Sequence, residues 1–319
     1  MNGSPPAKQK LLVLVGPTAV GKTKYSLEIA RRFDCEIISG DSMQVYRGMD
    51  IGTAKLLPHE REGIPHHLID ILPPDEPFSV SDFKRLAKQA ISDITGRGKL
   101  PFIVGGTGLY IESVLFEYNF SKAGSDEAFR REQRRFAEEY GAEALHAKLR
   151  AIDAETANRL HPNDLRRIIR ALEIFHLTGV TVSRQLAEQT RTSPYQACLL
   201  GLTMDRAKLY ERIEARVDAM VKAGLIAEVE GLLKQGYDSG LVSMQALGYK
   251  EIIAGLRGEI PMDEAIALIK RDSKRFAKRQ LSWFRHMDGI EWVDVGEPAK
   301  FNAHLQEISD IISAKCSFS

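Results

Sequence analysis

Gly16-Pro17-Thr18-Ala19-Val20-Gly21-Lys22-Thr23 spells G-x-x-x-x-G-K-[ST] in full. These residue types suit an anion cradle. Glycines let successive backbone N–H groups turn inward around a phosphate, and a helix N-terminus adds partial positive charge. Lys22 supplies a compact cation. Thr23 offers a hydroxyl to Mg²⁺, an ion that keeps most of its waters. The pattern leaves ATP, GTP and a pyrophosphate ester all open. Two further segments carry groups suited to chemistry. Asp41, in Gly40-Asp41-Ser42-Met43-Gln44, can hold Mg²⁺, act as a general base, or cap a turn. Thr107, in Gly105-Gly106-Thr107-Gly108, can give its hydroxyl to a phosphate oxygen or cap the next helix.

Two basic stretches stand apart. In Asp164–Ala171, Arg166, Arg167 and Arg170 fan over one side of a helix, while Ile168 and Ile169 face a core. In Lys270–Arg285, Lys270, Lys274 and Lys278 form one i, i+4 row and Arg271, Arg275 and Arg279 another, against the single acid Asp272. At ~100° per residue these rows cover half of a helix. Six uncompensated cations repel, and a nucleic-acid backbone would turn that cost into affinity through counterion release. A solvated helix face is the alternative for both stretches. Arg212 and Arg216, four apart, are placed to reach back to a phosphate.

The elements that must position these groups follow from periodicity. Strands are expected at Lys10–Val15, Glu36–Ser39, His67–Ile71, Pro101–Val104, Leu199–Thr203 and Ile290–Val295. Helices are expected at Lys22–Phe33, Ser81–Gly96, Ala207–Ala223, Leu225–Gln235, Ala246–Gly255, Met262–Leu268 and Lys270–His286. The alternation over the first hundred or so residues argues for a parallel sheet with helices on both faces. The texture changes near Tyr118, and from Ser121 to about Arg191 it is only helical. One α/β core, residues 1–120 and 199–319, interrupted by a helical insertion, 121–198, is the expected organisation. The strand ends should collect a ligand, as in other open parallel sheets.

Composition excludes several classes. Hydrophobic residues make up 44% of the 319 and charged residues 27%, which argues against a disordered or low-complexity chain. Forty-four Lys and Arg against 43 Asp and Glu leave a net charge of +1, so a polyanion must be held by local patches. Cys35, Cys198 and Cys316 have neither disulfide nor zinc spacing. No membrane-length apolar run occurs, and a reducing cytoplasmic setting with a monomeric chain is expected. The N-K-x-D guanine motif and an hhhh-D-E strand are both missing, which favours a transferase over a nucleotide hydrolase.

Taken together, GPTAVGKT, SGDSMQVYRGMDIGTAK, PHHLID, IVGGTGLY, DLRRIIRALEIF, QALGYKE and KRFAKRQLSWFR closely resemble the bacterial tRNA dimethylallyltransferases, the tRNA isopentenyltransferases of the MiaA type. The likeness runs from about Leu11 to Trp292. It implies a P-loop NTPase-like core with an all-helical insertion, and transfer of a dimethylallyl group from dimethylallyl pyrophosphate to N6 of adenosine 37 in the tRNA anticodon stem-loop. It implies that Gly16 to Thr23 hold the donor's pyrophosphate with Mg²⁺. Asp41 matches the general base, and Asp41, Ser42, Met43 and Gln44 match the stretch that receives the base. Thr107 matches the catalytic threonine, and Arg130 a catalytic-site arginine. Arg216, or alternatively Arg212, matches the pyrophosphate-contacting arginine. Arg166 to Arg170, including Ile168 and Ile169, match tRNA-contacting segments. So do Gln245, Gly248, Tyr249 and Lys250, and also Lys278, Arg279 and Arg285. The zinc finger of eukaryotic members is missing from the sequence, so the bacterial form is expected. A P-loop small-molecule or nucleoside kinase, or a non-catalytic RNA-binding module, are the competing readings.

Overall fold

Leu11 to Val15 are enclosed on both sides, as a central parallel strand requires. A computed structural model of the chain describes residues 8–116, 124–189 and 192–316. In chain order, β1 (Gln9–Val15), α1 (Lys22–Arg32), β2 (Cys35–Gly40), β3 (His66–His67), α2 (Val80–Gly96), β4 (Leu100–Gly105) and α3 (Gly108–Leu115) come first. Helices α4 (Glu127–Tyr140), α5 (Ala142–Ile152), α6 (Ala154–Arg159), α7 (Leu165–Thr178) and α8 (Val182–Ala187) follow. The chain then returns through β5 (Tyr195–Thr203), α9 (Arg206–Lys222), α10 (Leu225–Lys234), α11 (Tyr249–Leu256), α12 (Met262–Arg285), β6 (Ile290–Asp294) and α13 (Phe301–Cys316). Two compact units result: Met1–Leu115 with Ser193–Ser319, and Phe116–Thr192.

The first unit is an α/β fold. Its six strands lie in the order β3-β2-β4-β1-β5-β6, and every pairing is parallel. Register decides what happens at the carboxyl edge. Val15 is opposite Gly105, and Gly105 is opposite Gly40. The next residues, Gly16, Asp41 and Gly106, therefore leave the sheet side by side, with adjacent strands ~4.8 Å apart. A core that includes Leu14, Phe102, Leu200 and Val293 packs about the sheet. A second apolar cluster joins Val45 and Met49 to α10, α11 and α12 through Val229, Ile252 and Ile269. The second unit has its own core, built on Leu145, Leu149, Ile168 and Leu172.

Several boundaries differ from expectation for local reasons. The strand expected over His67–Ile71 is only His66–His67, because Leu68 and Asp70 adopt positive φ of 62° and 58°, which ends extended pairing. The helix expected from Ala246 starts at Tyr249, after Gly248 at φ 99°. The two helices expected over Met262–His286 are one helix. Nothing near Ile269 breaks it, and Ile269 itself is buried. The chain after Val295, unreadable from sequence, forms α13 and buries Leu305, Ile308 and Ile312 against the sheet core. The texture change near Tyr118 lies outside the described residues.

Candidate active site

The cradle is shaped by its backbone. Gly16 has φ 153°, and a Cβ there would meet the Leu202 carbonyl oxygen at 2.8 Å. Gly21, at φ 109°, opens α1 without a side-chain cap, so the Lys22 and Thr23 N–H groups remain available to an anion. Lys22 Nζ donates to the Gly16 and Pro17 carbonyls, both at 2.8 Å, which anchors the ammonium over the loop. Burial, with Arg216 nearby adding to it and Asp41 opposing, lowers its pKa to about 7. Arg216 lies on α9 with its guanidinium enclosed, and burial depresses its pKa while Asp41 supports its charge. One turn earlier, Arg212 Nη1 donates to the Val20 carbonyl at 3.3 Å. Ile213 and Val217, buried on the same helix, fix both arginines in place.

The turn after β2 is tied to the turn after β4. Asp41 Oδ1 accepts from the Met43 N–H at 2.8 Å, so the capping role weighed for Asp41 is real for one oxygen. Thr107 Oγ1 accepts from the Ser42 N–H at 3.2 Å, and the Thr107 N–H donates to the Gly40 carbonyl at 3.2 Å. Thr107 thus braces the Asp41 turn rather than capping its own helix. The close approach of β2 and β4 needs Gly105: a Cβ there would sit 2.2 Å from the Gly40 carbonyl oxygen. Gln44 is held at both ends, accepting from Ser39 Oγ at 2.9 Å and donating to the Thr53 carbonyl at 3.3 Å.

Thr18, Ala19, Gly21, Lys22, Thr23, Asp41 to Gln44, Thr107, Arg212, Arg216 and Gly248 all line one cavity of about 820 Å³ within the first unit. Its charge pattern is lopsided. Lys22, Lys24, Arg212 and Arg216 line it, against Asp41 as the sole carboxylate among the described lining residues. Met43, Ile69, Val217, Met220, Leu247 and Phe276 give it an apolar side. The arrangement can hold a polyanion beside an apolar group, with one proton acceptor at hand.

Other expected site residues belong to the second unit, are enclosed, or are exposed on the surface of the first. Arg130 belongs to the second unit, where its Nε is 2.8 Å from Glu173 Oε1 and its Nη2 is 3.0 Å from Oε2. Ile168 and Ile169 are buried in that unit's core, so they cannot touch RNA; Arg166 and Arg167 on the same helix are exposed. Arg170 bonds Glu173 at 2.6 Å and the Gly124 carbonyl at 3.1 Å. Tyr249 is likewise unable to reach a partner, since it is fully buried with its hydroxyl on Glu228 at 2.6 Å. Gln245 and Lys250 are exposed. The basic helix is also more compensated than its sequence suggests. Lys270 pairs with Asp218 at 2.6 Å, Lys274 with Glu214, and both Arg271 and Arg275 with Asp272. Lys278, Arg279 and Arg285 are exposed and form no ion pair among the described residues.

Sequence reasoning missed two organising residues. Glu228 accepts the N–H groups of Asp50, Ile51 and Gly52 as well as the Tyr249 hydroxyl, so it shapes the wall at Gly52 and Thr53. Gln280 lines the cavity from α12. A signal for it existed: it shares a helical face with Ala277 and Phe284, both wholly buried, where a polar side chain needs partners.

The family described as IPP transferase matches residues 44–287, and the one described as isopentenyl transferase matches residues 9–70. The tRNA dimethylallyltransferase of Geobacillus thermodenitrificans is 53% identical over 310 residues, covering 96% of this chain and 97% of that protein. That of Bacillus subtilis is 51% identical, covering 97% and 98%. The crystal structure of the full-length tRNA isopentenylpyrophosphate transferase from Bacillus halodurans superposes with a TM-score of 0.74 at 49% identity, covering 97% of each chain. A eukaryotic dimethylallyltransferase acting on tRNA superposes with a TM-score of 0.81 at 30% identity, covering 96% of this chain and 79% of that one. With a family match over most of its length and relatives half-identical from end to end, the chain belongs to the tRNA dimethylallyltransferases.

Proposed function

We propose that the chain transfers the dimethylallyl group of dimethylallyl pyrophosphate to N6 of adenosine 37 in the tRNA anticodon loop, releasing pyrophosphate. The observation that carries this reading is the cavity's charge pattern: a phosphate cradle and two arginines face a single carboxylate, all in one site. As the allylic C–O bond breaks, its electron pair stays on the diphosphate. The cradle N–H groups, Lys22 and Arg216, with Arg212 behind them, stabilise that charge. As the N–C bond forms, the amine nitrogen becomes acidic, and Asp41 accepts its proton. The apolar side of the cavity shelters the prenyl chain from water. A stacked adenine cannot reach the donor carbon, so the base enters flipped out, toward Asp41–Gln44.

No cluster of three or more His, Cys, Asp or Glu suited to a metal occurs among the described residues. The Thr23 hydroxyl and the Asp41 carboxylate in the cavity fit an ion bound mainly through diphosphate oxygens and water, as Mg²⁺ prefers. Held there by Thr23, Mg²⁺ would supply further neutralisation of the leaving group. Lys278, Arg279 and Arg285, with Arg166 and Arg167, offer phosphate contacts to the RNA. A tRNA substrate supports work in the cytoplasm.

The test is incubation of radiolabelled dimethylallyl pyrophosphate with anticodon stem-loop RNA. Label should appear on the adenosine and depend on Mg²⁺. No incorporation, together with ATP-dependent phosphorylation of a metabolite, would sink the reading in favour of a kinase, which the comparisons do not support.

A further inference from the structure

Gln280 has no part in the chemistry above, yet both ends of its carboxamide are committed. Oε1 accepts from the Thr18 backbone N–H at 2.8 Å, and Nε2 donates to the Gly106 carbonyl at 3.0 Å. Thr18 is in the cradle after β1; Gly106 is in the turn after β4, next to Thr107. The residue is buried, and the turn is thinned to admit it: a Cβ at Gly106 would lie 2.2 Å from Nε2. An acceptor and a donor on one planar neutral group are the property of a primary amide. Asparagine, a methylene shorter, would not span the same two loops from α12.

We propose that Gln280 is a positioning residue that fixes the phosphate cradle against the Thr107 turn. The linkage continues beyond it. Thr107 is bonded to Ser42 and Gly40, so a run of hydrogen bonds joins the cradle, through Gln280 and the Gly106–Thr107 turn, to the Asp41 turn. The leaving group and the proton acceptor thereby keep one spacing. This inference rests on the transfer reading for its catalytic consequence, but the cradle half of it does not. A misplacement of the order of 1 Å costs about a hundredfold in rate, so the clamp matters to turnover more than to RNA affinity.

Two near-isosteric variants test it. Gln280→Met removes both bonds. Gln280→Glu keeps an acceptor for Thr18 but turns a second carboxylate oxygen toward the Gly106 carbonyl, and protonation restores the donor. We expect Gln280→Met to lose about ten- to a hundredfold in kcat with the KM for the stem-loop within about twofold of wild type. Burial against the Gly106 carbonyl should raise the introduced carboxyl above its usual range, so Gln280→Glu should be impaired at about pH 8 and recover, relative to wild type, as the pH falls toward about 5.5. Melting midpoints are followed alongside. Unchanged kcat in Gln280→Met overturns the proposal. So does an equal loss in both variants at every pH that tracks a lowered midpoint. If the wild-type protein transfers no prenyl group, the functional reading falls separately. Calorimetric binding of inorganic pyrophosphate then decides the clamp: weaker binding in Gln280→Met, with return at low pH in Gln280→Glu, supports it, and wild-type affinity in both refutes it.

Discussion

Lys22 carries a chemical tension that an anion relieves. Its ammonium is enclosed beside Arg216, which brings its pKa down to about 7. Above that pH the unliganded side chain is mostly neutral. A diphosphate favours the charged form, so binding above about pH 7 must take up a proton, and affinity must fall as the pH rises. Calorimetry of dimethylallyl pyrophosphate binding at about pH 8 should give heats that depend on the buffer's ionisation enthalpy, and Lys22→Met should abolish that dependence. Buffer-independent heats in the wild type would refute it. Asp41 invites a conservative test. Asp41→Asn keeps an acceptor for the Met43 N–H and so keeps the turn, but it removes the base. Transfer should fall by about 10²- to 10⁴-fold while stem-loop binding is retained; near-normal turnover would contradict the assignment of the base.

At the scale of elements, α12 shows what a helix sequence hides. Its two cationic rows are plain in the one-letter code, but Asp218 and Glu214, which neutralise Lys270 and Lys274, belong to α9 and come alongside only through packing. The free charge is therefore concentrated at the C-terminal end of α12, at Lys278, Arg279 and Arg285. Lys278→Ala should weaken tRNA binding and reduce the slope of log K against log salt by about one. Lys274→Ala should change that slope much less. Equal slopes for the two would mean that the Lys274 ion pair opens when RNA binds. Motif matching has a similar blind spot. A run such as Arg166–Arg170 carries solvent-facing and core-facing residues together, and helical periodicity, not the motif, separates Ile168 and Ile169 from the arginines.

For the whole molecule, the two compact units rest on different devices. The sheet unit is ordered by parallel register, which needs Gly105 against Gly40. The helical unit is pinned by Glu173, wholly enclosed, which accepts from Arg130, Arg170 and the Asp126 N–H. Those bonds hold the Glu173 carboxyl below its ordinary range despite burial. Removing one partner of a fully buried ion pair costs about 3–5 kcal/mol. Both arginines here reach solvent, so Glu173→Ala should cost less, about 2 kcal/mol. Hydrogen exchange should show the loss of protection confined to 116–192. Equal loss throughout the sheet would indicate that the two units unfold as one.

The amino-acid sequence alone carried whatever depends on near neighbours: the phosphate cradle, the strand–helix alternation, the candidate groups Asp41 and Thr107, and the core-facing Ile168 and Ile169 of α7. Each of these is set by residues within a turn or a strand of one another. It was silent on the tail helix α13, on Glu228 as an anchor and on Gln280 as a bridge, and it overcounted the unpaired cations of α12. Those features arise between segments far apart in the chain. Their pairing is selected by the free energy of burying the sheet and its helices together, a sum over the whole unit that no local pattern contains. The site itself is the clearest case. Its parts were visible one by one, but only the parallel register of β1, β4 and β2 brought them to a common edge.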